Sequence, residues 1–494
     1  MKIVAVLSGV LFSASLSCTK HVDGCDSNTD CTNPAYPFCD VNGAYPPSDG
    51  TKNICTIVPP DCPVDQCGCQ PGAASCGSDQ IVTCNADGSS ETTTSCALGC
   101  GSDGLTCASF TPSNGLGPIL TQAGSAADFV VPTGATIDTT TCQISMSGAT
   151  ILSGSLVAQS AGKICAFAAL DFTIGDVSAS GLYPLAFVAA SDITVSGVLD
   201  AGGKNTTQGP GAQPIGSQCD GGEVYSTKCN AGEVPQALVC SEGAGGGGGA
   251  TAGGSGATDT YIATVASNPG STSGGAIVAA QFSPLMGGCS GGSGSDTITN
   301  PQGTILGFVS DPGGAGGGAV QLVSGTSIEL VGIVNVGGGG GAAIGSAIGS
   351  DGATVYYDYQ STGGGAGGAV VIETPALTIG PGGGYAANGG GGAGCGVSGT
   401  DGTPDATPAP GGTSGALACQ TTGLLLVGGT GGTASVLPAI LDYEARAANT
   451  TNQDLFGAGG GSVGSVRIAT RTGSFTAGAS IQSAITTAEA LVTN

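Results

Sequence analysis

Two acidic residues, each at the start of a short aliphatic run, are the best candidates for chemistry in this chain. Asp171-Phe172-Thr173-Ile174-Gly175 and Asp192-Ile193-Thr194-Val195-Ser196 match at an offset of 21 residues. If this offset is one turn of a parallel β-helix, the two aspartates stack about 4.8 Å apart. Stacked carboxylates raise one pKa or attract a cation, so Asp171 and Asp192 are candidates for a calcium site or a catalytic pair. The alternative, that each aspartate only begins a strand at a solvated corner, stays open.

Other catalytic constellations find little support. The only histidine is His21, so a Ser-His-Asp triad cannot be assembled. The Gly-rich strings lack the Gly-Lys-Ser/Thr ending of a phosphate loop. Arg467 and Arg471 form a small basic spot or are solvated, and Tyr356-Tyr357-Asp358-Tyr359 is the one aromatic cluster of the Gly-rich half. We therefore predict no catalytic residue, and no cofactor apart from the calcium ion just mentioned.

Composition separates this chain from ordinary globular proteins. Gly supplies 95 of 494 residues, Trp is absent, and only 9% of residues are charged, yet 40% are hydrophobic. Small aliphatic side chains in such numbers favour thin β layers over thick helical packing. Acidic residues outnumber basic ones 34 to 9, which gives a net charge of −25 and excludes the basic surface of a nucleic-acid-binding protein.

The first residues predict export and a lipid anchor. Lys2 precedes an apolar run from Ile3 to Leu16, which is too short to span a membrane and is typical of a signal peptide. Ser15-Leu16-Ser17-Cys18 resembles a bacterial lipobox, with Leu16 one position closer to Cys18 than usual. Of the 21 cysteines, lipidation of Cys18 leaves an even number to pair. We expect a signal peptide at 1–17 and an outer-membrane or cell-surface lipoprotein.

The remaining cysteines predict disulfide-rich modules at 18–58 and 59–110, ahead of a Gly-rich domain at 111–494. Zinc at Cys67-Gly68-Cys69 or Cys96-Ala97-Leu98-Gly99-Cys100 is the competing interpretation, weakened by the missing CxxC pairs of a zinc ribbon. Proximity in sequence predicts bonds between Cys142 and Cys165 and between Cys395 and Cys419. Two further bonds are expected among four cysteines: Cys219, Cys229, Cys240 and Cys289.

An internal repeat organises the Gly-rich domain. Segments that start at Leu185, Gly318, Gly368 and Gly464 each predict three short strands with aliphatic residues alternating at period two. Such units bury their aliphatic faces only by stacking, which predicts a mainly β fold with a right-handed parallel β-helix or solenoid. Gly-rich insertions fall between the units, at about 202–272, 283–317, 337–367 and 382–464. They are flexible loops, ordered layers along the solenoid, or, least in keeping with their irregular period, a collagen-like helix.

The second cysteine module, with Cys96-Ala97-Leu98-Gly99-Cys100 and the later Pro112-Ser113-Asn114-Gly115, resembles Cys-rich exported lipoproteins of myxobacteria. The Gly-rich remainder looks like proteins labelled PE-PGRS-like on composition. The resemblance implies a cell-surface location and supplies no catalytic residues. We expect a non-catalytic structural, adhesive or recognition role, with the membrane and surface glycans or proteins as partners. The alternative is a carbohydrate-active β-helix enzyme, either a polysaccharide lyase or a hydrolase.

Overall fold

The computed structural model divides the chain into two compact units, Met1–Ser109 and Phe110–Asn494. It describes the following residues: 38–40, 54–56, 73–77, 79–85, 91–213, 216–225, 243–256, 273–277, 282–299, 305–343, 346–348, 356–358, 361–394, 397–412, 428–438, 457–478 and 480–493. Among these residues, no helix is long and apolar enough to cross a membrane.

The first unit contains two small antiparallel sheets. Its strands are β1 (Phe38–Asp40), β2 (Ile54–Thr56), β3 (Ala74–Gly77), β4 (Gln80–Cys84) and β5 (Glu91–Ser95). β1 pairs with β2, and β4 lies between β3 and β5. Disulfides join Cys76 to Cys100 and Cys96 to Cys107, so both cysteines at the ends of the suggested zinc sequence are bonded to other cysteines. Because β5 is exposed along its whole length, this sheet buries little apolar surface, and the disulfides supply much of its stability.

The second unit consists of one helix and 26 described strands. The helix is α1 (Gly117–Ala123). The strands before the first Gly-rich insertion are β6 (Phe129–Val131), β7 (Thr136–Asp138), β8 (Gln143–Met146), β9 (Ala149–Ser153), β10 (Ser155–Ala158), β11 (Lys163–Ala169), β12 (Phe172–Ile174), β13 (Val177–Ser180), β14 (Leu185–Ala189), β15 (Asp192–Val195) and β16 (Val198–Asp200). The later strands are β17 (Val224–Tyr225), β18 (Gly294–Thr299), β19 (Ile305–Asp311), β20 (Ala319–Ser324), β21 (Ser327–Leu330), β22 (Ile333–Asn335), β23 (Ser346–Ile348), β24 (Tyr356–Asp358), β25 (Ala369–Glu373), β26 (Ala376–Ile379), β27 (Gly384–Ala386), β28 (Ser465–Thr470), β29 (Thr476–Ala477), β30 (Ile481–Ser483) and β31 (Ile485–Ala490).

Three sheets, parallel through most of their strands, carry the repeated units. Their strand orders are β10-β11-β14-β20-β25-β28-β31, β29-β26-β21-β15-β12-β6 and β30-β27-β22-β16-β13-β7-β8-β9. Each unit of three consecutive strands adds one strand to each sheet, as β14, β15 and β16 do. Asp192 pairs with Ser327, and Ala319 pairs with Ala369, so the register agrees with the alignment of the repeat in the sequence. The fold is therefore mainly β, as predicted.

Aliphatic and aromatic side chains on alternate positions form one continuous core between the sheets. In β12, Phe172 and Ile174 are buried while Thr173 between them is exposed, which is the period of two that a strand imposes. Phe172 lies 5.1 Å from Phe187 between ring centroids and 6.3 Å from Phe129, both edge to face. The same side of the next strands carries Ile193 and other aliphatic residues. Stacking of equivalent positions thus builds a core that no single repeat could build.

The Gly-rich insertions contain thirteen extended segments that pack side by side, here called the glycine array. The segments are I (216–223), II (243–250), III (251–256), IV (273–277), V (287–293), VI (313–318), VII (336–342), VIII (361–368), IX (387–394), X (397–402), XI (409–412), XII (428–432) and XIII (457–464). Apart from the bond between Asp220 N–H and Ser217 O in segment I, their backbone hydrogen bonds run between segments rather than within them. Of their described glycines only Gly216, at the first position of segment I, has a positive φ.

Hydrogen bonds of segment VIII repeat every three residues. The N–H groups of Thr362, Gly365 and Gly368 donate to segment VII. The N–H groups of Gly363 and Ala366 donate to segment V. Those of Gly364 and Gly367 donate to segment XIII. Its carbonyl groups accept from segments II, VI and IX. Three residues per turn without internal hydrogen bonds is the geometry of a polyproline II helix.

Six neighbours therefore surround segment VIII, and hydrogen bonds also join each neighbour to the next. The ring runs VII, VI, V, II, XIII, IX and back to VII. Segment IX lies inside a second complete ring of VII, X, XI, XII, XIII and VIII. Segment II lies inside a third ring of VIII, V, I, IV, III and XIII. The array is thus a hexagonal packing of extended chains, and its described insertions are ordered layers rather than flexible loops or a collagen-like helix.

Close approach of the backbones explains why the array needs glycine. A Cβ added to Gly365 would lie 1.9 Å from the carbonyl oxygen of Ala315, and one added to Gly363 would lie 1.9 Å from that of Gly245. Neighbours on all sides leave most positions of an enclosed segment without space for a side chain. The outer segments, such as X with Val397 and Asp401, carry larger residues. Consecutive glycines therefore mark the interior of the array.

Candidate functional site

Asp171 and Asp192 lie at equivalent positions on neighbouring strands, as the 21-residue offset predicts. An oxygen of the Asp171 carboxylate accepts the backbone N–H of Asp192 at 2.8 Å. The Asp192 carboxylate accepts the hydroxyl of Ser327 at 2.7 Å, one strand further along. Each carboxylate thus binds the start of the next repeat. These contacts favour the interpretation that the aspartates stabilise strand starts.

A third aspartate extends this column, and sequence reasoning missed it. Phe129 pairs with Phe172, so Asp128 precedes β6 at the position where Asp171 precedes β12. The shared dipeptide Asp-Phe at 128–129 and 171–172 could have revealed the match. Among the described residues, these aspartates do not form a group of three ligand residues whose metal-binding atoms all lie within 4.8 Å of one another. Calcium at Asp171 and Asp192 stays a prediction.

A group of three such side chains, with ligand atoms within 4.8 Å of one another, does occur in the described residues: Cys219, Asp220 and Cys289. Its two cysteines form a disulfide, which leaves the Asp220 carboxylate as the only free ligand of the three. The disulfide joins segments I and V, two neighbours in the ring around segment II. Its arrangement suits a covalent brace of the array better than a metal site.

Asp220 reinforces the same junction through hydrogen bonds. Its carboxylate accepts the Ser217 hydroxyl at 2.8 Å and the backbone N–H of Gly216 at 2.6 Å, and the N–H of Ser290 in segment V at 3.2 Å. Burial raises the pKa of Asp220 above its ordinary 3.8, although these hydrogen bonds act in the opposite direction. The carboxylate is therefore an internal acceptor for backbone groups that the array leaves unpaired.

Polar side chains mark the point where strands pass into the array. Asp200 ends β16 and accepts the Asn335 amide at 2.9 Å, while Lys204 lies 2.5 Å from its other oxygen. The hydrogen bond to Asp200 raises the pKa of Lys204 above its ordinary 10.5. Asp401 accepts the N–H groups of Asn205 and Gly340 at 2.7 and 2.8 Å. These contacts join the end of β16 and the residues after it to β22 and to segment X, and they join segment X to segment VII.

Arg467 belongs to a paired cluster rather than to a free basic spot. Its guanidinium donates to Glu373 at 3.2 Å and to Glu489 at 2.6 Å. Glu373 is 3% exposed and also accepts the amide of Gln321 at 2.9 Å. Arg471 also has an interaction partner. The alternative of a free basic spot at Arg467 is therefore not favoured.

The ends of the array differ in what they connect. Segments VI, VIII and XIII run directly into β20, β25 and β28, which defines a sheet end of the array. Hydrogen-bond partners place the opposite ends of the segments together at an outer end, for example Ala244 N–H with Ser361 O and Gly222 N–H with Ser273 O. Five longer stretches of chain leave and re-enter the array there: 224–242, 257–272, 294–312, 343–360 and 413–427. We call them the outer connectors.

Described parts of the outer connectors are short strands. β17 and β18 are parallel and come from different connectors, and β19 pairs with β18 antiparallel. β23 and β24 form a hairpin within 343–360 that contains Tyr356 and Tyr357. Five of the ten tyrosines of the chain belong to outer connectors, and the array segments contain none. Tyr356 and Tyr357 of the predicted aromatic cluster thus belong to a connector that leaves and re-enters the array at its outer end.

Disulfides account for part of the predicted pairings. Cys142 and Cys165 are bonded to each other, and of the four cysteines expected to form two bonds, Cys219 and Cys289 are bonded to each other. The other predicted positions lie outside the described residues: Cys18, Cys67, Cys69, Cys229, Cys240, Cys395 and Cys419. Comparisons with models of protein families, with curated protein sequences and with solved structures give no match.

Proposed function

We propose that this protein is a non-catalytic recognition or adhesion protein of the cell surface, anchored through a lipid on Cys18, and that the outer connectors are its binding surface. The observation that carries this proposal is that five connectors leave and re-enter a densely hydrogen-bonded array at the same end. Binding residues commonly sit on loops held by a rigid scaffold. Tyrosine in such loops supplies large contact area at low conformational cost, for glycans as well as for proteins.

The scaffold in this proposal is a right-handed parallel β-helix. Strand order is the same in the three sheets, and every repeat contributes one strand to each of them. A right-handed crossover is the rule for parallel strands in one sheet. Stacked repeats would then extend the chain along one axis, and the array would be a lateral extension of the stack.

Carbohydrate-active chemistry is the weaker alternative. The Asp171 and Asp192 carboxylates accept hydrogen bonds from the next repeat at 2.8 and 2.7 Å, so the predicted pair serves the strands. A glycosidase would need two carboxyl groups facing each other across a bound sugar.

One binding experiment tests the assignment of the surface. Whole protein would be applied to arrays of surface glycans and to cells, and the double variant Tyr356→Ser/Tyr357→Ser compared with Tyr183→Ser, which lies outside the connectors. We expect the double variant to bind at least tenfold more weakly, while Tyr183→Ser keeps the affinity of the unchanged protein. The reason is that two aromatic contacts at a binding centre contribute about 1–2 kcal/mol or more of binding free energy. Equal binding by all three proteins would place recognition elsewhere.

The anchor needs a separate measurement. Protein extracted from membranes without reduction should yield an N-terminal peptide that begins at a lipidated Cys18, and an intact mass without free thiols. A peptide that begins elsewhere, or an unmodified Cys18, would overturn the anchor and leave the connector proposal standing.

A further inference from the structure

The segment that leads into the second unit crosses one face of its seven-stranded sheet. Phe110 forms an antiparallel bridge with Thr493, just after β31. Ser113 then donates its N–H to Glu373 of β25 at 3.0 Å, and Asn114 donates its amide to Gln321 of β20 at 2.9 Å. α1 follows and packs on β14 and β11. Since the sheet order is β11-β14-β20-β25-β28-β31, residues 110–123 run from the last repeat to the first.

The contacts under this segment are buried and share donors and acceptors, although the Asn114 side-chain oxygen has no hydrogen-bond partner. Asn114 and Glu373 are 8% and 3% exposed, and Gln321 between them is fully buried. The Gln321 amide donates to the Ser113 hydroxyl at 3.1 Å and to Glu373 at 2.9 Å. The Asn114 amide also donates to the carbonyl of Phe282 at 2.9 Å. Each of these groups loses a partner if the segment lifts, and an unpaired buried polar group is costly.

We propose that residues 110–123 form a clasp that makes the first and last repeats unfold together. In a stack of repeats each unit contacts only its neighbours, so the ends can fray independently. A single segment bound to both ends removes that independence.

Hydrogen exchange measured by mass spectrometry on the full chain tests the clasp. Asn114→Gly removes the amide contacts, and glycine suits the positive φ of 58° at this position. Ser147→Gly is the matched control, since Ser147 is exposed and also has a positive φ, 52°. We expect Asn114→Gly to speed exchange roughly 10- to 30-fold, the effect of losing two buried hydrogen bonds. The increase should appear in β11 and β14 and, to a similar extent, in β28 and β31.

Three other outcomes would overturn the proposal. The first is faster exchange confined to β20 and β25, which would make the contacts local. The second is faster exchange at one end of the stack only, which would deny the coupling. The third is an equal effect of Ser147→Gly, which would trace the change to backbone freedom. Asn114→Asp offers a second variant that keeps the backbone preference and places a charge near Glu373, and it should reproduce the two-ended pattern.

Discussion

Replacing one enclosed glycine by alanine should destabilise the array far more than the same change elsewhere in the unit. Gly365, in segment VIII, donates its N–H to Gly339 and accepts that of Gly390, both at 2.8 Å. An added Cβ would lie 1.9 Å from the oxygen of Ala315 in segment VI, where an ordinary contact is about 3.5 Å. Segment VI would have to withdraw by roughly 1.5 Å.

That withdrawal breaks hydrogen bonds that segment VI makes to segment VIII. The N–H groups of Gly314 and of Gly317 donate to segment VIII at 2.8 Å each. Loss of two buried bonds and the strain of overpacking cost about 3 kcal/mol together. Alanine lowers the conformational entropy of the unfolded chain and returns about 0.5 kcal/mol. We therefore expect Gly365→Ala to lower the free energy of opening by about 2–3 kcal/mol, or roughly 30- to 150-fold in hydrogen exchange of segments VI and VIII.

Gly380→Ala is the control. The nearest heavy atom to its added Cβ is 3.6 Å away, and its φ is not positive, so alanine fits without movement. We expect a change within about 0.5 kcal/mol. If Gly365→Ala and Gly380→Ala gave the same small change in exchange, the close packing argued for the array would be refuted.

Further predictions concern the braces and the aspartate column. Replacing Cys219 and Cys289 by alanine should cost about 4 kcal/mol, because their disulfide closes 70 residues of chain, and it should speed exchange in segments I and V; no change in thermal denaturation would count against the brace. Because the pKa of Asp220 is raised in the folded state, this carboxyl keeps its proton to a higher pH there than in the unfolded state. The stability that this group contributes should therefore fall as the pH rises from 3.8 through the folded pKa. A carboxyl NMR titration with a midpoint at or below 3.8 would contradict this. Asp171→Ala should cost about 1 kcal/mol by leaving the Asp192 N–H without its acceptor, while Asp171→Asn keeps an acceptor and should cost less than half of that; equal costs in denaturant titrations would show that the hydrogen bond contributes little.

The repeat could be predicted from the sequence because side chains encode it. Alternating aliphatic residues mark strands such as β12 and β15, and the matched Asp171 and Asp192 fix their register at 21 residues. Before β6 the match to the repeat is only the dipeptide Asp128-Phe129, which is too short to identify a repeat.

The array and the clasp could not be derived in the same way. Segments such as 243–250 carry almost no side chains, so no periodic pattern distinguishes an ordered chain from a flexible one. Their order depends on backbone hydrogen bonds between segments that are far apart in sequence, for example Gly247 with Gly364. The clasp likewise depends on long-range pairs, and Ser113 and Glu373 are 260 residues apart. Only a view of the assembled chain reveals either of them.

A run of identical residues carries no information about its own alignment. Within 337–341, or within 245–249, a chain displaced by one full turn of three residues would offer its neighbours the same N–H and C=O groups. The alignment of each segment must therefore come from outside the run. Strands β22 and β25, the Cys219–Cys289 bond and the contacts of Asp401 supply such fixed points. It follows that the strands have to pair before the glycine segments can adopt one alignment. Losing one fixed point should therefore yield several misaligned folded forms rather than one unfolded state.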